Sequence, residues 1–348
     1  MSQKQLYITH SQDIFQLING GFLADSQIEI SRGNVRGIWS DESIGGLSLS
    51  SDDKVIPVVT QQFVFLSKQL SETVIEGVIA LLPKQDWTVS LLSSHLDVEK
   101  LTIRLSERLS STENTNLYQY CNDNNVDLIE CNDTKPTLLK PGLVVLDMDS
   151  TSITIECIDE IAKLADVGDE VAEITELAMQ GKLDFSESLR LRVSKLKGIE
   201  VSLLDSIANN LPLMPGMAAL AKSFKEHGWR VAIASGGFTY FADNLKVQLG
   251  LDAAVSNTLV IEDGKLTGEV AGTIVDAQVK ADTIEVLAKE YDIEPSQTIA
   301  IGDGANDLVM MKKAALGIAY HAKPVVQQQA DVAINYGDLR SVIALLSD

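Results

Sequence analysis

Basic residues are scarce in this chain: 28 lysines and arginines stand against 49 aspartates and glutamates, a formal charge of −21 over 348 residues. Such an excess repels polyanions, so neither nucleic acid nor an anionic membrane surface is expected as a partner. It would repel a phosphorylated substrate too, which would need a divalent cation and a few local basic groups to bind. Cysteine is nearly absent. Cys121, Cys131 and Cys157 show no CxxC spacing and leave an odd count, which argues against zinc held by cysteine and suits reduced thiols in the cytoplasm. No run approaches the roughly 18 uninterrupted apolar residues of a membrane helix. The opening stretch Met1–Tyr7 lacks the basic-then-apolar pattern of a secretory leader, so none is expected.

What is present suits a soluble globular protein: 45% apolar residues and a mean hydropathy of +0.09. The length is too great for one small core, so two domains are expected. The segment Lys135–Gly142 carries two prolines and a glycine and reads as the linker between them. Residues 1–138 then form a small α/β domain without a catalytic constellation, and 139–348 the catalytic domain. In the first, Gly45–Asp53 reads as a loop, Val55–Thr60 and Trp87–Leu92 as strands, and Leu66–Leu82 and Val98–Leu109 show helical apolar spacing. In the second, short apolar runs recur at Leu143–Leu146, Arg230–Ala234, Thr298–Ile301, Leu316–Ala319 and Val332–Ile334. Helical stretches separate most of them, the pattern of a parallel sheet with crossover helices, an α/β fold. Between the first two runs, Ile158–Leu164, Val171–Met179, Phe185–Leu196 and Val201–Ala208 all carry helical spacing. That is too long for one crossover and predicts a helical cap over about 154–213. Leu259–Val270 reads as a hairpin turning at Asp263-Gly264.

Ligands of open α/β sheets bind at the carboxyl ends of the strands. Three strands end in polar residues of a compatible kind: Asp147-Met148-Asp149, Ser235-Gly236-Gly237, and Gly302-Asp303-Gly304-Ala305-Asn306-Asp307. Clustered carboxylates without histidine or cysteine favour Mg²⁺. One carboxylate could attack a phosphoryl group and a second could protonate the leaving oxygen, then deprotonate water. The second must begin protonated, although a free aspartic acid has a pKa of about 3.9; neighbouring carboxylates and burial could raise it. Ser235 and the Gly236 N–H could hold phosphate oxygens, and Lys280 is the best-placed cation.

The order DxDST, SGG, lysine, GDGxND resembles the haloacid dehalogenase superfamily. Asp147–Ile161, Phe185–Val193, Ser235–Phe238 and Gly302–Asp307 are closely similar to its phosphoserine phosphatase branch, and the likeness spans about 142–348. It implies a Rossmann-like parallel sheet with helices on both faces and a helical cap after the first strand. It also implies Mg²⁺-dependent hydrolysis of O-phospho-L-serine to serine and phosphate, the last step of serine biosynthesis, through a phosphoaspartate. By the same likeness Asp147 is the nucleophile and Asp149 the acid/base, while Asp147, Asp303 and the Asp149 carbonyl hold the metal. Glu156 receives the substrate ammonium, Arg192 its carboxylate, and Ser235, Gly236 and Lys280 its phosphate. Asn306 and Asp307 complete the second side. Met148 stands where many relatives have phenylalanine, a packing position. The N-terminal residues resemble the extra domain that some bacterial members carry, similar to a ligand-binding regulatory domain. A homodimer is the expectation for the assembly.

Plainer readings stand beside these. Asp147 and Asp149 alone could be a solvated strand end, Glu156 an ordinary acidic first turn, and Arg192 part of a charged helix face with Arg190, Lys195 and Lys197. A transferase passing the phosphoryl group to another alcohol, or a sensor with a vestigial site, are the rival functions.

Overall fold

The computed structural model describes residues 4–6, 28–31, 34–37, 59–82, 87–93, 96–131 and 136–347. The loop expected at Gly45–Asp53 lies outside these residues, as does most of the strand expected at Val55–Thr60. Contacts divide the chain into two units: the described residues up to Cys131 together with Ile334–Ser347, and the residues from 136 to 333.

The first unit is built on an antiparallel sheet of β1 (Lys4–Leu6), β2 (Ile28–Ser31), β3 (Asn34–Gly37), β4 (Gln61–Ser67), β5 (Trp87–Ser93), β6 (Glu99–Leu105) and β7 (Asp127–Cys131), in the order β1-β3-β2-β5-β6-β4-β7. Strand alternation turns Phe63 and Phe65 toward one face, where they meet Ile75 and Val78 of α1 (Glu72–Leu81) and Leu117 and Cys121 of α2 (Ser111–Asp123). Ser71 and Ser110 cap these helices by accepting the amides of Val74 and Glu113. The segment after Ile334 returns to this sheet: the buried Asp127 carboxylate accepts the N–H groups of Asn335 (2.7 Å), Tyr336 (3.1 Å) and Gly337 (2.8 Å). The helix Arg340–Leu346 follows and contacts β4 and β6. The helical spacing read over Val98–Leu109 is corrected here, since most of that stretch is β6. The stretch read as Leu66–Leu82 divides at Ser71, with the end of β4 before it and α1 after it.

The second unit contains β8 (Leu143–Leu146), then α3 (Cys157–Leu164), α4 (Gly168–Met179), α5 (Phe185–Lys195), α6 (Val201–Ala208) and α7 (Met217–Glu226). Next come β9 (Arg230–Phe238), α8 (Thr239–Leu249), β10 (Ala253–Glu262), β11 (Lys265–Ala271), α9 (Ala277–Glu290), β12 (Thr298–Gly302), α10 (Leu308–Lys313), β13 (Leu316–Tyr320) and β14 (Val332–Ile334). The sheet order is β11-β10-β9-β8-β12-β13-β14. The pairs from β10 through β13 are parallel, and only β11 is shown antiparallel to its neighbour. Leu143–Leu146 is buried throughout, as a strand covered on both faces must be. The chain leaves β8 toward β9 and returns to β12 on its other side. The carboxyl ends of β9, β8 and β12 therefore stand side by side at a topological switch point.

All four helices expected between the first two strands are present, as is the hairpin. Asp263 (φ 49°) and Gly264 (φ 74°) both adopt the left-handed region, as a two-residue turn of this hand requires. The hairpin meets the segment after α5: Gly198 N–H donates to Leu266 O at 2.8 Å, and Leu266 N–H to Ile199 O at 2.9 Å. Among the described residues no helix is long and apolar enough to cross a membrane.

Candidate active site

One cavity of about 140 Å³ lies at the switch point. Asp147, Asp149, Glu156, Arg192, Ser235, Gly236, Asp303 and Asn306 all line it. Residues from 147 to 306 meet there because three adjacent strands deliver loops to one edge and the helical insertion supplies Glu156 and Arg192. Lys280 and Asp307, named with the others from the sequence, stand behind this surface. Lys280 is 1% exposed and its Nζ lies 2.8 Å from Asp147 Oδ1 and 2.8 Å from Asp307 Oδ1.

Asp147 is held firmly. Its Oδ1 also accepts the Met148 N–H at 2.8 Å, and its carbonyl accepts the Ser152 hydroxyl at 2.6 Å. The turn that follows is tight: Ser152 and Ile153 both donate their N–H to Met148 O, and Ser150 takes φ 56°. A positive φ is costly for serine, so the surroundings must hold it there. Its hydroxyl donates to Glu156 Oε1 at 2.8 Å. Asp149 Oδ1 accepts the Cys157 N–H at 3.3 Å. Gly237 passes so close above that a Cβ there would lie 2.8 Å from Asp149 Oδ2 and 2.7 Å from Met148 Cε. A side chain there would have to push the ends of both aside.

The electrostatics separate the groups. Part of Asp149 faces the cavity, yet protein encloses the rest; desolvation first, then the charges of Glu156 and Asp147, push its pKa up to about 8. Burial, then the neighbouring Asp147, raises Asp303, and burial raises Glu156. Burial alone would lower Lys280, but the charges of Asp147 and Asp307 outweigh it and hold its pKa raised, so the ammonium persists. Two carboxylates share that one ammonium, and burial followed by the Asp147 charge raises Asp307. Negative charge is in excess.

Carboxylate oxygens of Asp147, Asp303 and Asp307 lie within 4.8 Å of one another. The donor set is oxygen alone, and the nearby Cys157 thiol is kept neutral by burial and by Asp149. These residues fit a hard divalent cation and not a thiophilic one. Arg192 has the complementary character: its Nε is buried with no hydrogen-bond partner, a donor left for an anion.

Three residues went unremarked in the sequence. Ser150 and Thr151 lay inside the quoted motif; the Thr151 hydroxyl donates to Asp303 Oδ1 at 3.0 Å. Asn257, buried in β10 between Ser256 and Thr258, donates to Gly236 O at 2.8 Å. Those neighbours are polar too, so nothing in the sequence set Asn257 apart.

Comparison with known proteins agrees with this geometry. The model of the haloacid dehalogenase-like hydrolases matches residues 141–315. A phosphoserine phosphatase of Vibrio cholerae is 61% identical over 212 residues, which are 61% of this chain and 65% of that relative. The unliganded crystal structure of a probable phosphoserine phosphatase from Vibrio cholerae superposes with a TM-score of 0.70 at 46% identity, covering 82% of this chain and 86% of that one. A phospho-aspartyl intermediate analogue of phosphoserine phosphatase superposes at 0.56 with 42% identity, covering 60% of this chain and all of that one.

Proposed function

The chain belongs to the haloacid dehalogenase-like hydrolases, and we propose that it is a phosphoserine phosphatase that hydrolyses O-phospho-L-serine through a phosphoaspartate on Asp147. The observation that carries this reading is one small cavity lined by Asp147, Asp149, Glu156 and Arg192, with Arg192 Nε unpartnered. Phosphoserine offers a phosphate, an ammonium and a carboxylate. Ser235 and Gly236 suit the first, Glu156 the second and Arg192 the third, the guanidinium fork matching a carboxylate bidentately. The volume, well below the roughly 300–1,000 Å³ of pockets that take drug-sized ligands, favours a small metabolite over a phosphorylated protein.

Lys280 and the Met148 amide fix the Asp147 carboxylate, which attacks phosphorus as the ester P–O bond breaks. Asp149, protonated because its pKa is raised, gives its proton to the departing serine oxygen. The resulting Asp149 carboxylate then takes a proton from water, whose oxygen attacks the phosphoaspartate; phosphate leaves and Asp147 is restored. Asp147, Asp303 and the Asp149 carbonyl would hold Mg²⁺, with Asp307 paired to Lys280 at their side. When bound, the ion supplies the positive charge that lets a phosphate approach these carboxylates. The cap segment carrying Glu156 and Arg192 excludes water around the phosphate. Three cysteines, an odd count, suit a cytoplasmic enzyme.

The test is phosphate release from a panel of phosphomonoesters, with Mg²⁺ and with a chelator. O-phospho-L-serine should be the preferred substrate and the chelator should abolish turnover. Turnover of other esters with none of phosphoserine would overturn the reading.

A further inference from the structure

The register between β9 and β10 breaks where β9 reaches the cavity. Val255 pairs with Ala234, and the next pair is Asn257 with Phe238. Two steps along β10 thus span four along β9, so Ser235–Gly237 bulges out of the ladder. A bulged strand forfeits ladder partners, and a buried peptide group left unpaired is costly. Asn257, 1% exposed, supplies the missing partner. Its Nδ2 donates to the Gly236 carbonyl at 2.8 Å, and its Oδ1 accepts the Val275 N–H at 2.8 Å. Val275 directly precedes Asp276, whose side chain caps α9 and whose carbonyl accepts the Lys280 N–H at 3.0 Å. The Gly236–Gly237 peptide is therefore gripped at both ends, its carbonyl by Asn257 and its N–H by Ser235 Oγ at 2.9 Å. That last bond uses the Ser235 oxygen as acceptor and leaves the hydroxyl proton for a ligand. A primary amide carries its donor and its acceptor on separate atoms of one uncharged planar group; aspartate cannot donate when ionised, and leucine can do neither.

We propose that Asn257 is a positioning residue for the phosphoryl group, tying the Ser235–Gly237 bulge to the start of the helix that carries Lys280. The proposal rests on the reading of this cavity as a phosphoryl-transfer site. Asn257 does not line the cavity. It acts through Gly236 on one side and through Val275 and Asp276 on the other.

The test uses the full-length protein and two substitutions of similar volume. Asn257→Leu removes both hydrogen bonds; Asn257→Asp keeps an acceptor for Val275 and loses the donor to Gly236. Each is compared with the wild type below its melting temperature, on O-phospho-L-serine and on nitrophenyl phosphate, and calorimetry follows inorganic phosphate binding. A displaced phosphate loop should lower kcat on both substrates, by up to roughly 10²-fold, and weaken phosphate binding. KM for phosphoserine, supported also by Glu156 and Arg192, should change less than kcat. If Asn257→Leu does not fold, Asn257→Asp decides alone. Unchanged kcat and phosphate binding in folded Asn257→Asp would overturn the proposal, as would a loss confined to KM for phosphoserine. A wild type that cleaves nitrophenyl phosphate and not phosphoserine refutes the substrate reading alone. The nitrophenyl phosphate and calorimetry arms then still decide on Asn257.

Discussion

Asp147 and Asp149 stand two positions apart at one strand end, yet their surroundings give them different chemistry. Asp147 is tied to Lys280 and to the Met148 amide, whereas Asp149 accepts hydrogen bonds from the amide and side chain of Cys157 and is pushed up to about 8 by burial and by Glu156 and Asp147. Two carboxylates with divergent environments are how one fold supplies a nucleophile and an acid at the same pH. Asn in place of Asp149 cannot give a proton to a serine alkoxide. Asp149→Asn should slow phosphorylation by phosphoserine by roughly 10²–10⁴-fold. Nitrophenolate leaves without a proton, so that substrate should lose much less in the same single-turnover measurement. Equal losses on both would remove Asp149 from the acid role. The motif made these two residues legible in the sequence, along with Ser235, Asp303 and Asp307. It could not show that Lys280 lies behind Asp147 and not on the cavity surface, because that depends on the tilt of α9 against β8. Nor could it reveal Asn257, whose meaning comes from a register break between two strands.

At the scale of elements, legibility follows how each element is covered. The parallel strands read as continuous apolar runs bounded by turns, and the cap helices as regular 3.6-residue patterns. β6 misled because it is covered on both faces: Phe63, Phe65, Leu101 and Ile103 pack with α1 and α2, while the helix Arg340–Leu346 also contacts β4 and β6. Two-sided burial erases the period of two, and Val98, Leu101, Thr102, Leu105 and Leu109 happen to fall at helical intervals. The buried Lys100 reaches the Ser347 carbonyl, a partner no local pattern can announce. α5 shows the opposite case, since its capping box at Asp184 and Glu187 is readable from local pattern, whereas its role rests on the family likeness that singled out Arg192. It carries Arg192 to the cavity while the β10–β11 hairpin binds the segment just beyond its end. Arg192→Ala should cost on the order of 2–5 kcal/mol for phosphoserine, roughly a 30- to 5,000-fold loss in kcat/KM, because the substrate carboxylate is left unpaired. Arg192→Lys keeps the charge without the fork and should still raise KM. Nitrophenyl phosphate lacks the carboxylate and should be nearly indifferent. Parallel losses on both substrates would assign Arg192 to the support of the fold.

At the scale of the whole chain, the cavity-lining residues and their two partners behind it run from 147 to 307, all within the second unit. Its chemistry should therefore survive without the first unit. The boundary is less simple than a single linker near 139, because Ile334–Ser347 belongs with the N-terminal sheet. Asp127 holds three successive amides of that segment, and Arg340 reaches Asp97 at 2.9 Å. A chain of residues 139–348 would keep the helix Arg340–Leu346 but lose the sheet it contacts, exposing a surface that includes Val342, Leu345 and Leu346, all fully buried in the whole protein. Exposed apolar patches of this kind drive association. A chain of residues 139–336 keeps β14 whole and omits the orphaned helix. Both should retain Mg²⁺-dependent release of phosphate from phosphoserine, and light scattering should show self-association for the first alone. If both fold by circular dichroism and neither turns over substrate, the N-terminal unit contributes to the active site, and the division of labour argued from residues 147–307 fails.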